Sequence, residues 1–255
     1  MLVSAESGNM RVRGDAAVAV VLTPETARYG TTMAERLRSI DRAELKSTLR
    51  RWLNVAIAAV MIVALLPLMV LIGILVKLTS PGPVLYTQAR VGVDRRWNRL
   101  NNTNHRRVVD HGGQLFRIYK FRTMQVQHHG VQKWAARNDP RVTPIGRFLR
   151  RYRLDELPQL FNVLMGDMNI VGPRPEQPRI FAELRTVIPN YGERQRVLPG
   201  ITGLAQVNQS YDTCAEDVRR KVQLDLEYIR RESPIEDLKI LLYTLPAVVV
   251  KRGGW

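Results

Sequence analysis

The sequence predicts an α+β fold that is predominantly helical and is held at a membrane. Three observations carry this prediction. Twenty-five residues without a charge run from Trp52 to Val76, residues 115–121 alternate apolar and polar positions as a strand does, and most of the chain after residue 144 has helical periodicity. We therefore predict a re-entrant membrane helix-break-helix, and a cytosolic domain with a small β-hairpin and interfacial amphipathic helices.

Residues 1–50 are predicted to form a basic N-terminal arm. The first 15 residues lack periodicity, which is typical of a disordered segment. From Thr23 or Thr31 to Arg50 the pattern indicates one or two basic helices. The arm leads directly into the uncharged stretch.

Residues 51–78 contain the uncharged stretch and are predicted to enter a membrane. As one straight helix its 25 residues would reach about 37 Å at roughly 1.5 Å per residue, enough to cross a hydrocarbon core of about 30 Å. Pro67 removes a backbone hydrogen bond near the middle, so a kink or break is expected there. Lys and Arg residues flank both ends, and positive residues prefer the cytoplasmic side. This favours a re-entrant hairpin, with a true span as the alternative.

The elements after the membrane segment begin with a turn cluster at residues 79–83. Residues 84–86 and 115–121 are predicted strands, with a long loop at 94–113 between them. The predicted helices all lie in the second half of the chain. They cover about 145–152, 157–165, 176–187, 190–196, 214–231 and 235–250. The last is apolar for too short a stretch to span a membrane, and Pro246 is expected to bend it along the interface.

Composition limits the classes of partner and compartment. The net charge of +16 implies an acidic partner, which could be nucleic acid, an anionic lipid surface or a phosphate-rich substrate. The single cysteine, Cys214, excludes an intramolecular disulfide and a cysteine-rich zinc site, and it fits a reducing compartment. The 4 histidines do not show metal-ligand spacing, so no role is assigned to them.

The densest group of functional residue types lies at residues 147–159. Four arginines precede the adjacent carboxylates Asp155 and Glu156, and Pro158 indicates that a helix begins there. The positive end of this helix and the arginines would keep a carboxylate ionised and could hold phosphates beside it. A nucleophile next to a phosphate site is one interpretation. On spacing alone the simpler one, a helix cap formed by acidic residues, is favoured.

Other charged residues fit the same phosphate chemistry. Arg174 lies between two prolines of fixed φ, which present its guanidinium rigidly. Lys120 and Arg122 lie at the end of a predicted strand, where a solvated edge is the alternative. Asp225 lies on a predicted helix and could ligate a hard cation, although a surface salt bridge is the default interpretation.

Four motifs occur in order along the chain. They are SPGPVLYTQARVG at residues 80–92, IYKFRTM at 118–124, RLDELPQLFNVLMGDMNIVGPRP at 153–175 and LPGITGLAQVN at 198–208. Together they resemble those of the bacterial sugar transferase family, the monotopic phosphoglycosyltransferases, in its compact form. The resemblance covers about residues 50–252 and implies that residues 79–255 form the catalytic domain. It also implies transfer of a sugar 1-phosphate from a UDP-sugar to polyprenyl (undecaprenyl) phosphate with release of UMP, which primes exopolysaccharide, O-antigen, capsule or glycoconjugate synthesis.

The resemblance assigns roles to individual residues. Asp155 would attack the β-phosphate of the donor to form a covalent aspartyl phosphosugar, and Glu156 would help to activate the acceptor phosphate. Mg²⁺ is the implied cofactor, near Asp155 and Asp225. The family's re-entrant helix is broken at a proline, which matches Pro67. The residues expected at the donor phosphates are Lys120, Arg122, Arg150 and Arg174.

The implied partners are a UDP-sugar, polyprenyl phosphate and membrane lipids, without nucleic acid, at the cytoplasmic face of the bacterial inner membrane. A homodimer is one option for the oligomeric state, and the sugar is left open. Three departures from the family pattern are Leu66, where some members carry serine, Gln209, where glycine is usual, and the long loop at residues 94–113. The non-enzymatic alternative is a membrane-tethered basic module that binds nucleic acid or scaffolds a polysaccharide complex.

Overall fold

The computed structural model describes residues 24–95, 110–126, 139–209 and 214–250, with the backbone alone for residues 24–44, 245 and 247–250. Some sequence-based predictions lie outside the described residues: the disorder of the first 15 residues and most of the loop at 94–113. The chain divides into two compact units between Leu45 and Lys46. The second unit contains the apolar stretch, every strand described and the helices that follow.

The first helix, α1, spans Pro24–Thr79 and contains the whole apolar stretch. Its helical conformation continues through Pro67, so the predicted break into two separate helices is not observed. The proline ring removes one backbone hydrogen bond, and the bonds of the neighbouring turns keep the helix continuous. A re-entrant arrangement is thus not confirmed. In the described part of the chain, Leu45–Thr79 is the one stretch of helix long and apolar enough to cross a membrane, judged by length and composition.

The apolar part of α1 has two different faces. Residues at helical spacing along one face, including Ala58, Ile72 and Val76, are buried against the rest of the second unit. The opposite face exposes large apolar side chains, and 17% of the most apolar part of Leu45–Thr79 is buried. Those exposed side chains are Trp52, Leu53, Ile57, Val60, Val63, Leu66, Val70, Leu71, Ile74 and Leu78. A core helix would be buried all round, so this face suits an apolar environment such as lipid.

Polar contacts fix both ends of the apolar stretch within the second unit. At its start, Arg50 Nε donates to Asp237 Oδ2 at 2.7 Å. At its end, Arg122 donates to the carbonyls of Ser80 and Pro81 in the turn that follows α1. The same folded unit therefore holds the apolar helix at both ends.

Two pairs of strands form the β structure described. β1 (Leu85–Val91) and β2 (Leu115–Phe121) pair antiparallel, with Leu85 opposite Phe121, which confirms the predicted β-hairpin. β3 (Asn169–Val171) and β4 (Gly200–Thr202) pair parallel. The sequence does not predict this second pair, because strands of three residues are too short to show a periodicity.

The remaining helices lie within about two residues of their predicted positions, apart from the short α5, which the sequence does not predict. In chain order they are α2 (Pro144–Arg151), α3 (Gln159–Met165), α4 (Pro178–Val187), the 3₁₀ helix Tyr191–Arg196, α5 (Leu204–Asn208), α6 (Ala215–Arg231) and α7 (Pro234–Val250). Prolines begin α2, α4 and α7, where the missing N–H costs no intrahelical bond. On α7 the side chains of Ile235, Leu238 and Leu242 are exposed at helical spacing, as an interfacial helix requires.

Gly200 lies where two backbones touch. Its amide donates to Pro173 O at 3.0 Å, and a β-carbon at residue 200 would overlap the backbone of Gly172. We expect Gly200→Ala to lower the free energy of unfolding by about 1–3 kcal/mol, because the paired backbones must separate to make room. Gly192→Ala is the matched control, since the nearest atom to its β-carbon would be Arg185 Cδ at 3.9 Å. Urea denaturation measures both variants, and equal stabilities would contradict the close approach.

Candidate active site

A short 3₁₀ turn carries the two carboxylates predicted to be functional. It spans Leu154–Glu156, directly after α2 and before α3. Arg153 precedes it with φ 57°, a left-handed conformation that costs a non-glycine residue of order 1 kcal/mol. Pro158 is the N-cap residue of α3, so the carboxylates lie just before a helix start, as predicted. Backbone strain of this kind is common where a turn must aim functional side chains.

Leucines on this turn fasten it to the apolar helix. Leu154 and Leu157 are three residues apart, which places them on one side of a 3₁₀ turn. Both pack in a cluster with Ile72 and Val76 of α1. The two carboxylates are therefore held directly beside the helix whose other face exposes apolar side chains.

Cations surround Glu156. Lys120 Nζ donates to its Oε1 at 2.7 Å, and Arg174 donates to both oxygens, at 2.6 Å to Oε1 and 3.3 Å to Oε2. Arg153 Nη1 lies 3.9 Å from Oε1. Burial alone would raise the pKa of Glu156, but Arg174 and Lys120 outweigh it and hold this pKa well below its ordinary value. Glu156 is therefore ionised throughout the physiological pH range.

Asp155 is in the opposite electrostatic situation. It is 8% exposed, and its Oδ1 is buried with no hydrogen-bond partner among the described residues. Burial and the charge of Glu156 raise the pKa of Asp155, while Lys120, Arg150 and Arg153 oppose the rise. A buried acceptor without a partner is costly and uncommon in folded proteins. This oxygen is therefore available to accept a hydrogen bond from water or to contact a bound group.

Three of the four predicted phosphate-binding cations, Lys120, Arg150 and Arg174, lie at the carboxylates. Arg150 also donates from Nε to Thr123 Oγ1 at 2.8 Å, which steadies its guanidinium. The fourth, Arg122, is buried and donates to backbone carbonyls of the turn after α1. The carbonyls that follow a helix lack intrahelical partners, and this guanidinium satisfies them; its role at the donor phosphates stays a prediction.

Neighbouring strands hold the backbone of the segment at residues 172–176. Arg90 of β1 donates from Nη1 to Pro175 O at 3.0 Å, and the amide of Gly172 donates to a carbonyl of β4. Prolines on both sides of Arg174 restrict its backbone further. The Arg174 guanidinium therefore reaches Glu156 from a rigid base.

Asp225, the second predicted metal ligand, lies on α6 and is 2% exposed. Its Oδ2 accepts a hydrogen bond from Arg194 Nε at 2.7 Å. Burial raises the pKa of Asp225, and the charge of Arg194 opposes the rise. Within the described ranges, no three His, Cys, Asp or Glu side chains come together as a metal-binding group. Asp155 offers one unpartnered carboxylate oxygen to a divalent cation, whereas Oδ2 of Asp225 already accepts from a guanidinium, and the metal site stays a prediction.

Two adjacent carboxylates and several basic side chains meet on a turn that packs against an apolar helix. The chain belongs to the bacterial sugar transferase family, whose profile matches residues 45–251. The match includes the apolar helix, both strand pairs and the carboxylate turn. The resemblance carried by the four sequence motifs is thereby confirmed.

The chain is also similar to individual bacterial proteins. The chain is 38% identical over 221 residues to the UDP-N-acetylgalactosamine-undecaprenyl-phosphate N-acetylgalactosaminephosphotransferase of Aeromonas hydrophila, covering 86% of this chain and 48% of that protein. It is 36% identical over 235 residues to the UDP-glucose:undecaprenyl-phosphate glucose-1-phosphate transferase of Escherichia coli (strain K12), covering 91% and 45%. The exopolysaccharide production protein PSS of Rhizobium leguminosarum bv. phaseoli is 33% identical over 201 residues, covering 76% and 92%. The chain spans about half the length of the first two.

Proposed function

We propose that this protein transfers a sugar 1-phosphate from a UDP-sugar to undecaprenyl phosphate through a covalent intermediate on Asp155, releasing UMP. The observation that carries the proposal is the buried Oδ1 of Asp155, which has no partner among the described residues and lies among cations. The turn that bears it packs against the apolar helix, where a lipid phosphate would arrive. The names of the relatives support the two substrate classes. The product would prime synthesis of an exopolysaccharide, O-antigen, capsule or other glycoconjugate.

The reaction would proceed in two displacements at one phosphorus atom. An oxygen of the Asp155 carboxylate bonds to the β-phosphorus of the donor, and the bond from that phosphorus to the bridging oxygen breaks. The electron pair of that bond leaves with UMP. An oxygen of undecaprenyl phosphate then bonds to the same phosphorus, and Asp155 leaves as a carboxylate. Dividing the transfer in this way suits a soluble donor and a lipid acceptor that reach the site from different phases.

The basic side chains would stabilise the charge on the transferring phosphoryl group. Lys120, Arg150 and Arg174 are already fixed by hydrogen bonds, so little reorganisation would be needed when the donor arrives. Glu156 orients two of them. Because its pKa lies well below the ordinary value, Glu156 is a weak proton acceptor. Phosphate monoesters lose their second proton near pH 6, so the acceptor needs no strong base, and an orienting role for Glu156 fits best.

Mg²⁺ is proposed as the cofactor, held by Asp155 and by oxygens of the donor. When bound, it would neutralise the charge of the diphosphate. The unpartnered Oδ1 of Asp155 supports one carboxylate ligand, and Mg²⁺ sites commonly use one or two carboxylates together with substrate phosphates. The basic side chains around Asp155 would share the same task.

We also propose that the apolar helix, bent at Pro67 while it remains helical, enters the inner membrane and returns to the cytoplasmic face. Support comes from hydrogen bonds at both of its ends. Arg50 donates to Asp237, and Arg122 donates to a backbone carbonyl of the turn after Thr79. A water-exposed charged unit that grips both ends of an apolar helix leaves no end free to reach the far side of a bilayer. The exposed apolar face of α7 would lie on the same surface.

Cysteine labelling tests this topology in intact cells. The exposed free thiol of Cys214 is first replaced by serine, which keeps a side-chain cap for α6. Single cysteines are then introduced as Lys46→Cys and Leu78→Cys, both at exposed positions. We expect neither to react with an impermeant maleimide until the inner membrane is opened. Labelling of either position from the periplasmic side would show a true span.

The pH dependence of the reaction should report the ionisation of Asp155. Its pKa is raised by burial and by Glu156, so kcat/KM should rise with pH as this carboxyl loses its proton, with a midpoint above the ordinary value for aspartate. Arg150 opposes that rise, and Arg150→Gln should therefore move the midpoint to higher pH. Arg147→Gln, on the exposed side of the same helix, is the control. Identical midpoints in both variants would contradict the assignment.

The proposed function is tested by incubating the full chain in lipid with a panel of UDP-sugars, undecaprenyl phosphate and Mg²⁺. We expect UMP release with at least one donor and a lipid-linked sugar diphosphate as the second product. Release of UDP instead of UMP would indicate transfer of the sugar without its phosphate. Absence of UMP with every donor would overturn the proposal.

A further inference from the structure

Two side chains one helical turn apart on α6 lead to the segment at residues 172–176, one directly and the other through Arg194. Lys221 Nζ donates to Glu176 Oε1 at 2.9 Å. Four residues further on the same face of the helix, Asp225 accepts from Arg194 Nε at 2.7 Å. Arg194 in turn donates from Nη2 to the carbonyl of Arg174 at 3.0 Å. A chain of contacts therefore leads from Asp225 to the residue that holds Glu156.

The middle of this chain is fully enclosed. The side chains of Arg194 and Asp225 are 0% and 2% exposed. Arg194 Nη1 donates to Tyr191 Oη at 2.9 Å, and its guanidinium carbon lies 5.0 Å from the centre of the Tyr191 ring. A buried ion pair of this kind adds little stability compared with apolar side chains of the same size. Its effect here is to fix geometry, because the rigid fork of Arg194 allows few alternative positions.

We infer that Asp225 is a positioning residue that acts through Arg194 on Arg174, and that it is not a ligand of Mg²⁺. This inference rests on the proposed function. The family resemblance implies a metal near Asp225, but the carboxylate is buried against a guanidinium and belongs to no metal-binding group in the described part of the chain. The two roles have different consequences, because a ligand would set the affinity for the metal and a positioning residue would set the rate.

The expected effect follows from the place of Arg174 between its two prolines. Because a residue that precedes a proline is restricted to extended conformations, we expect a shift of the Arg174 carbonyl to move its Cα and guanidinium as well. Misplacement of a catalytic group by about 1 Å can cost roughly 10²-fold in rate. We therefore expect Asp225→Asn to lower kcat by about 10- to 100-fold. Glu216→Gln is the matched control, since Glu216 is an exposed acid of the same helix whose partner is Arg219 at 3.0 Å.

A double-mutant cycle tests whether Asp225 acts through Arg174 or independently of it. Asp225→Asn, Arg174→Ala and the double variant are compared by kcat for UMP release. If Asp225 acts through Arg174, adding Asp225→Asn to Arg174→Ala should change kcat by less than about twofold. Multiplication of the two single effects would overturn the inference.

Two measurements without turnover test the same point. Binding of Mn²⁺ in the presence of UDP, followed by electron paramagnetic resonance, should have the same Kd in wild type and Asp225→Asn. Hydrogen exchange of the backbone amides of Gly172, Arg174, Glu176 and Gln177 should become faster in Asp225→Asn and stay unchanged in Glu216→Gln. A tenfold weaker Mn²⁺ affinity, or unchanged exchange, would contradict the positioning role.

A paired apolar replacement guards against simple misfolding. Arg194→Met combined with Asp225→Leu removes the contacts from Asp225 through Arg194 to Arg174 without leaving a buried charge. The fold should therefore persist while amide hydrogen exchange at residues 172–177 increases. A lowered kcat in this folded variant supports the positioning role of Asp225, and a wild-type kcat would overturn it. If wild type itself releases no UMP, the proposed function fails, while Mn²⁺ binding and hydrogen exchange still decide the role of Asp225.

Discussion

Asp155→Asn should abolish sugar-phosphate transfer and at the same time stabilise the protein. The amide cannot attack phosphorus, so UMP release should fall by at least about 10³-fold. The gain in stability follows from the environment of the carboxylate, which is buried, unpartnered at Oδ1 and next to the negative charge of Glu156. An amide of the same size carries no charge to be desolvated or repelled.

The sign of this stability change depends on pH. The folded protein raises the pKa of Asp155, so it binds the Asp155 proton more tightly than the unfolded chain does. Ionised Asp155 therefore destabilises the fold above that raised pKa. The advantage of Asp155→Asn should be present at neutral pH and should vanish as the pH falls below the ordinary pKa of aspartate. Thermal unfolding measures it, at roughly 2 to 4 °C for each kcal/mol in a domain of this size.

Asp139→Asn provides the matched control for this prediction. Asp139 is also a buried aspartate, but its carboxylate is paired with Arg141 Nη2 at 2.6 Å. Its replacement should lower stability and should leave the midpoint of the pH profile unchanged. A loss of stability in Asp155→Asn of the same size as in Asp139→Asn would contradict the strained environment assigned to Asp155.

Glu156→Gln should destabilise the fold strongly. It removes the negative charge that Lys120 and Arg174 share, and leaves both cations in a largely buried site without the carboxylate to which they hydrogen-bond. Breaking a buried ion pair in this way costs about 3–5 kcal/mol. Activity should fall as well, because the two cations would no longer be oriented beside Asp155. Urea denaturation of the purified variant gives the loss directly.

Ionisation of Glu156 stabilises the fold, whereas ionisation of Asp155 destabilises it. Folding lowers the pKa of Glu156, so its contribution is complete above the ordinary pKa of glutamate and is lost as the pH falls through the lowered folded value. The difference in free energy of unfolding between wild type and Glu156→Gln should therefore become smaller at acid pH. Glu183→Gln, which removes one partner of an exposed pair with Arg179, should show no measurable change at any pH. If the difference in free energy of unfolding between wild type and Glu156→Gln stayed constant down to acid pH, ionised Glu156 would not be the source of this stabilisation.

Local patterns in the sequence predict much of this fold and the position of its two adjacent carboxylates before a helix start. The alternation at residues 115–121 gives β2, and Pro158 locates a helix start directly after Asp155 and Glu156. Both predictions depend on a few neighbouring residues. The break expected at Pro67 shows the limit of this reasoning, because one missing hydrogen bond does not decide the conformation of a helix that packs along its length.

The partners of each charge are what the sequence does not reveal. Lys120 and Arg174 belong to distant segments, and their meeting at Glu156 depends on how β2 and the segment at 172–176 pack. Arg122 and Arg194 are single basic residues among 39 lysines and arginines, and nothing in their spacing distinguishes a turn-binding guanidinium from a positioning one. Such roles become visible once the contacts between segments are known.

The measurement that tests the central claim most directly is the intact mass of the full chain after incubation with a UDP-sugar and Mg²⁺ in the absence of undecaprenyl phosphate. We predict a mass increase of one sugar phosphate, carried on the peptide that contains Asp155, absent in Asp155→Asn and discharged when undecaprenyl phosphate is added. An adduct that persists in Asp155→Asn, or UMP release that requires both substrates and passes through no adduct, would contradict the assignment of Asp155 as the nucleophile.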